Sequence, residues 1–293
     1  YFEFKEGGDF ANSRKLFYRE LAARFGYLNA VTWNIGEENG WQKDEGYGKS
    51  ITTQQRKQFA AYLKELLPYD ELIVVHNGPS NTDAIFEDLV GDPSYTGISF
   101  QGNFQDVTHG YDRILHWRKA SAASGHPWVV TYDETYTGPE YPELDVWRKH
   151  SLWASLMGGA AGMEVYLGKG EDLRIEDYRK YQAYYELMNH AKNFFTNSEI
   201  PFQELEPQIT ENANAWKLSA NDEVFVYYLR DGGEGELKLP SGVFEIHWFN
   251  PRTGAWSQNE ALKQVSGEEK TSLGKAPSEP NLDWVIMVKK KKN

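Results

Sequence analysis

The chain has 293 residues, enough for one large domain or two unequal ones, and a formal net charge of −12 that argues against a nucleic-acid partner. It contains no cysteine, which excludes a disulfide framework and a cysteine-based metal site, and no apolar run of about eighteen residues, which excludes a spanning helix. Aromatic residues make up 15% of the chain, with ten Trp and eighteen Tyr, a surplus over core needs that suits stacking on the apolar faces of sugars.

The opening YFEF alternates like the tail of a strand, and YFEFKE has no charged-then-apolar leader, so the chain reads as already cut. Together with the missing thiols, this fits a bacterial protein placed outside the cell or in the periplasm. Asn12 or Ser13 is expected to cap a helix to about Phe25, with Leu16, Phe17, Leu21 and Phe25 sharing a face. Strand-like runs follow at 31–35, 71–75, 97–100, 128–132 and 161–167. Helical spacing lies between them, clearest at 53–67.

That βα order implies a parallel sheet. The phosphate-cradling glycine turn of doubly wound nucleotide-binding sheets is missing. Polar residues follow nearly every strand on one rim, which favours an α/β (β/α)8 TIM barrel. Only six strands are visible, so the expectation is a barrel of residues 1–198 lacking about two front strands. Truncation, cleavage or a second polypeptide would account for them. From Ile200 onward short alternating runs (AWKLSA, EVFVYYL, GELKL, VFEIHWF, DWVIMV) are separated by turn signals at Asp231-Gly232-Gly233 and Asn250–Gly254. They predict a small antiparallel β-sandwich over 199–293.

Two of the strand ends carry paired acids. VTWNIGEENGW ends a strand in Glu37 and Glu38, and WVVTYDET ends another in Asp133 and Glu134. Two carboxyl groups on one barrel rim are the minimum apparatus for cleaving a glycosidic bond, one protonating the leaving oxygen and the other attacking the anomeric carbon or activating water. Glu38 is the expected acid/base, with Glu37 as alternative, and Glu134 the expected nucleophile, with Asp133 in support or in its place. The same rim offers Asn39, His76, Asn77, Gln101 and Asn103 as contacts for sugar hydroxyls, each equally at home in a structural hydrogen bond. Glu164, inside an apolar run, needs a partner or faces the barrel mouth. Trp33, Trp41, Tyr136 and Tyr166 are candidate sugar platforms, with core packing the competing role. No H-E-x-x-H, nucleophile elbow or nucleotide motif occurs, so neither metal nor organic cofactor is implied.

On those residues, WNIGEEN resembles the acid/base motif of the clan of retaining (β/α)8-barrel glycoside hydrolases, in which Asn-Glu ends the fourth strand. Glu37 stands where that clan has Asn, so a group that only accepts replaces one that also donates. The clan's nucleophile ends the seventh strand, which matches Glu134 when YFEF is counted as the third. The whole chain is similar to apiosidase-like bacterial barrel proteins that carry a C-terminal sandwich named for collagen binding. The matching motifs are AKNFFTN, IPFQELEP, FVYYL, WFNPRTG and DWVIMV. The resemblance implies retaining hydrolysis of a complex plant or algal poly- or oligosaccharide. A barrel that only binds carbohydrate or a matrix protein is the rival.

Overall fold

The computed structural model describes residues 10–36, 38–39, 51–78, 82–102, 110–135, 143–165, 177–258, 261–265 and 269–291. The expected opening strand and the candidate residues Glu37, Trp41, Asn103, Tyr136 and Tyr166 lie outside them. The chain divides into two compact units: Tyr1–Val107 with Asp112–Tyr141 and Ala160–Lys169, and Thr108–Tyr111 with Pro142–Gly159 and Gly170–Asn293.

In the first unit, α1 (Asn12–Phe25) precedes β1 (Thr32–Asn34), α2 (Thr53–Leu66), β2 (Leu72–Val74), α3 (Thr82–Phe86), β3 (Gly97–Gln101), α4 (Gly110–Ala123), β4 (Val129–Asp133) and the short β5 (Gly162–Met163). Thr52 starts α2 through a capping box, accepting from the Gln55 amide while Gln55 Oε1 accepts from the Thr52 amide at 2.8 Å. All the strands are parallel. β1 pairs β2 with Trp33 opposite Ile73, and β3 pairs β4 with Gln101 opposite Asp133. β4 pairs β5 with Tyr132 opposite Met163, and a bridge from His76 to Ser99 joins the two groups. The strands therefore stand side by side in sequence order, as in a barrel wall, with no reversal of order. The fold is α/β. Among the described residues the wall is an arc that does not close.

Period-two alternation sorts each strand between two faces. Ile98, Phe100, Val130 and Tyr132 join Trp33, Ile35, Ile73 and Val75 in one core with the helical Phe59, Leu63, Phe86, Ile114 and Trp117. Gly97, Ser99, Gln101, Thr131 and Asp133 alternate with them and take the other face. A Cβ at Gly97 would run into the Val129 carbonyl oxygen and also meet Leu72 Cδ1 at 2.7 Å, so glycine there lets β4 above all, and β2, approach β3.

Helix α1 corrects the expected capping and phase. Ala11 is its N-cap, with no side-chain bond, and Arg14 and Tyr18 are its buried residues, whereas Leu16, Phe17 and Phe25 are exposed. The Arg14 guanidinium lies 4.3 Å from the centre of the Phe59 ring, so a cation takes a place that hydropathy assigns to an apolar side chain.

In the second unit, α5 (Leu144–Trp147), a π-helical turn at Arg148–Trp153, α6 (Ala154–Met157) and α7 (Gln182–Asn197) accompany nine antiparallel strands among the described residues. β6 (Glu206–Gln208), β7 (Ala215–Ala220), β8 (Val224–Leu229), β10 (Gly242–Asn250), β11 (Ala255–Trp256), β12 (Ala261–Val265) and β14 (Trp284–Lys290) make one sheet. β9 (Glu234–Leu239) and β13 (Glu269–Lys275) make a separate ribbon. The antiparallel expectation holds, and the second layer is this ribbon rather than a second broad sheet. Leu237, Leu239 and Leu273 of the ribbon share a core with Phe225, Tyr227, Phe244, Ile246 and Ile286 of the sheet.

On the helices, Trp153 stacks on Tyr228 at 5.3 Å and Phe194 lies 5.1 Å from Phe249. Burial on both sides explains why β8 reads as an apolar run, with all but its first residue buried. The buried face of α7 is Tyr184, Leu187, Ala191, Phe194 and Phe195, while Tyr178 and Tyr185 are exposed. Among the described residues no helix is long and apolar enough to cross a membrane.

Candidate active site

Parallel strands aim all their C-terminal ends at one rim, and each strand of the arc delivers a polar group there. Glu38 follows β1, His76 and Asn77 follow β2, Gln101 ends β3, Asp133 and Glu134 close β4, and Glu164 follows β5. Among the described non-glycine residues of the first unit, only Glu38 and Glu134 have positive φ, 40° and 48°. A bulky side chain adopts that region at a cost, and such outliers gather where function over-determines the backbone.

The two glutamates meet on one side chain. Gln101 Nε2 donates to Glu134 Oε2 and lies 3.4 Å from Glu38 Oε1. One nitrogen within hydrogen-bonding reach of both oxygens limits their separation to roughly 6 Å. Turning the amide over would set its oxygen against two carboxylates, which fixes the orientation.

Gln101 is itself held. Its backbone N–H donates to Asn77 Oδ1 at 2.7 Å, and Asn77 Nδ2 donates to Gln101 O at 3.1 Å, Thr82 Oγ1 at 3.0 Å and Gly78 O at 2.8 Å. Asn77 is fully buried and spends its amide on this brace, so the structure places it behind the site rather than at a sugar hydroxyl. Asn39 has a similar place: Nδ2 donates to Gly36 O at 2.9 Å and His76 O at 3.3 Å, and the Gly78 amide donates to its carbonyl at 2.8 Å. Trp33 is a correction as well. Its ring sits in the helix-facing core and its Nε1 donates to Glu71 Oε2, away from the rim.

Behind Glu134 runs a second polar chain. His76 Nε2 lies 3.8 Å from Glu134 Oε1, and His76 Nδ1 lies 2.8 Å from Ser99 Oγ, which donates to Asp133 Oδ2. Thr131 Oγ1 is 3.0 Å from the same Asp133 oxygen. Ser99 and Thr131 are absent from the expected site, yet the pattern was readable, because both are polar at every second position of strands whose other face is apolar.

Glu164 shares this neighbourhood. Burial of its carboxyl, foremost, and the Asp133 charge push it above the ordinary carboxylate range, with His76 acting in the opposite direction, although the residue as a whole retains solvent contact. Among the described residues no group of three or more His, Asp or Glu side chains is arranged to hold a metal ion. A depression lined by Tyr27, Val31, Tyr69 and Leu72 lies at the beginnings of β1 and β2, the end of the strands opposite to these carboxylates.

No family model matches the chain, and no curated protein does. Solved structures do resemble it. A candidate glycoside hydrolase from Bacteroides vulgatus ATCC 8482 superposes with a TM-score of 0.65 at 13% identity, over 95% of this chain and 55% of that one. The endo-β1,6-glucanase BT3312 gives 0.53 at 9%, over 96% and 63%. Pullulanase type I from Bacillus subtilis str. 168, complexed with maltose, gives 0.50 at 11%, over 95% and 46%. The chain thus spans about half to two thirds of the length of these neighbours, and what it shares with them is an α/β fold found in glycoside hydrolases.

Proposed function

We propose that the protein is a glycoside hydrolase that cleaves a complex poly- or oligosaccharide by double displacement with retention. The observation that carries this is the convergence of Glu38 and Glu134 on the Gln101 amide. A retaining enzyme needs its two carboxyl groups about 5 to 5.5 Å apart, with no room for a water between them, and the roughly 6 Å limit set by the shared nitrogen supports that reading. Glu134, held by Gln101 and facing His76, is the nucleophile. Glu38, which Gln101 Nε2 reaches at 3.4 Å from the other side of the pair, is the acid/base. The fold neighbours described as glycoside hydrolases support the reaction class and lend no substrate.

The protein works outside the cytoplasm. The assignment is tested by assaying Glu134→Gln and Glu38→Gln on a panel of aryl glycosides and plant and algal oligosaccharides. Loss of at least about a hundredfold in turnover is expected for each. Unchanged turnover in both leaves the non-catalytic binding protein as the better account.

A further inference from the structure

We propose that Gln101 is a positioning residue whose amide nitrogen passes its hydrogen bond from Glu134 to Glu38 and back, following the negative charge through both halves of the reaction. This inference rests on the assignment of Glu134 as nucleophile and Glu38 as acid/base, and concerns how the site stabilises the charge they exchange.

Double displacement moves that charge without changing its amount. In the first half Glu134 bonds to the anomeric carbon, the glycosidic bond leaves its electron pair on the departing oxygen, and that oxygen takes the proton of Glu38. Glu134 is then a neutral ester and Glu38 an anion. In the second half Glu38 takes a proton from water, the water oxygen bonds to the anomeric carbon, and the ester electron pair returns to Glu134. One negative charge therefore travels between the two glutamates. A fixed donor favours both transition states only if it meets that charge at either end.

Gln101 has the reach to do so. Its Nε2 carries two hydrogens, donates to Glu134 Oε2 and lies 3.4 Å from Glu38 Oε1. A shift of about half an ångström toward Glu38 brings the longer contact to ordinary hydrogen-bond length. The side chain is fully buried, and among the described residues its Oε1 has no partner, so the amide faces the carboxylates at the expense of its own oxygen. The backbone beneath is fixed by Asn77, which accepts from the Gln101 N–H at 2.7 Å and donates to the Gln101 carbonyl at 3.1 Å. The root is held and only the amide tip has to turn.

A donor that served Glu134 alone would act differently. Its bond weakens as the nucleophile gives up charge, which hinders the first half, and strengthens as the charge returns, which helps the second. Removing it would slow deglycosylation only, and the glycosyl-enzyme would accumulate. Removing a donor shared with Glu38 slows both halves.

The test is Gln101→Met in the full chain, which keeps length and volume and loses the donor. Its probes are dinitrophenyl glycosides, limited by deglycosylation, and phenyl glycosides, limited by glycosylation, of glucose, galactose, xylose, arabinose and their disaccharides. A fall in kcat of about tenfold to a hundredfold is expected on both leaving groups, with KM changed less than about threefold and no added glycosyl-enzyme in quenched samples. A merely packing role predicts parental kinetics and overturns the proposal. Slowing confined to the dinitrophenyl series, with the intermediate accumulating, overturns it in favour of an anchor for Glu134. If Gln101→Met does not fold, a crystal structure of the parent trapped as a fluoroglycosyl-enzyme decides. Gln101 Nε2 within about 3.0 Å of a Glu38 oxygen is expected there, and a nitrogen still bonded to Glu134 and beyond about 3.4 Å from Glu38 overturns the proposal. A fully active Gln101→Met beside an inactive Glu134→Gln removes the hand-over and keeps the hydrolase. Full activity of both Glu134→Gln and Glu38→Gln removes the hydrolase and this inference with it.

Discussion

At Glu38 and Glu134 the backbone adopts left-handed conformations that cost a non-glycine residue about 1 to 3 kcal/mol each. If that strain is the cost of aiming the two carboxyls at Gln101, glycine should relieve it. Glu38→Gly and Glu134→Gly are expected to be inactive yet as stable as the parent, or more stable by up to about 1 kcal/mol in urea unfolding. A loss above about 1 kcal/mol would show that the side chains carry stability instead. Glu164 gives a prediction of opposite character. Its carboxyl binds a proton more tightly folded than unfolded, so its contribution to stability is full below the ordinary carboxylate range and is lost as pH rises through the raised value. Glu164→Gln should match the parent Tm near pH 4 and exceed it at pH 8; a difference that does not vary with pH would contradict this. The acids at strand ends were visible in the sequence because carboxylates seldom follow apolar runs without reason. The contacts made by Asn77 were not, since an asparagine that braces and one that binds sugar are written alike.

The elements of the arc follow from patterns that sequence carries well. Apolar runs became parallel strands, and the helical spacing at 53–67 became α2. On β3 and β4 the alternation of Ser99 and Gln101, then Thr131 and Asp133, with Ile98, Phe100, Val130 and Tyr132 separates the site face from the core face. Because Gly97 admits the close approach of the β4 backbone at Val129, Gly97→Ala should destabilise the chain by about 1 to 3 kcal/mol in chemical denaturation. A neutral result would show that the strands can part without cost. Helix faces were less legible. In α1 aromatic and aliphatic residues occur all round, and the choice fell to Arg14 and Tyr18 because both pack on Phe59. In α7 the rings at Tyr184 and Phe194 are inside through partners distant in sequence, Trp147 and Phe249.

For the molecule as a whole, the βα order was enough to predict an α/β fold and the later alternation enough to predict antiparallel strands. The grouping of α5 to α7 with the C-terminal sheet was not predictable, because it depends on contacts such as Trp153 on Tyr228 and Arg148 with Asp283. Asp283 is fully buried, accepts from Arg148 Nε at 2.9 Å and Nη2 at 2.8 Å, and accepts from the Tyr228 hydroxyl at 2.8 Å. Asp283→Ala leaves the Arg148 cation buried without that partner and should cost about 3 to 5 kcal/mol, measured by equilibrium unfolding; a loss below about 1 kcal/mol would mean that water reaches the site. The central claim, that Glu134 attacks and Glu38 supplies and takes the proton, is tested most directly by covalent trapping. The protein is incubated with a set of activated fluorosugar glycosides, and the product is mapped by peptide mass spectrometry. A single glycosyl adduct on Glu134, absent from Glu134→Gln, is the expected result. An adduct on another carboxylate, or turnover that releases the sugar with inverted configuration, would contradict it.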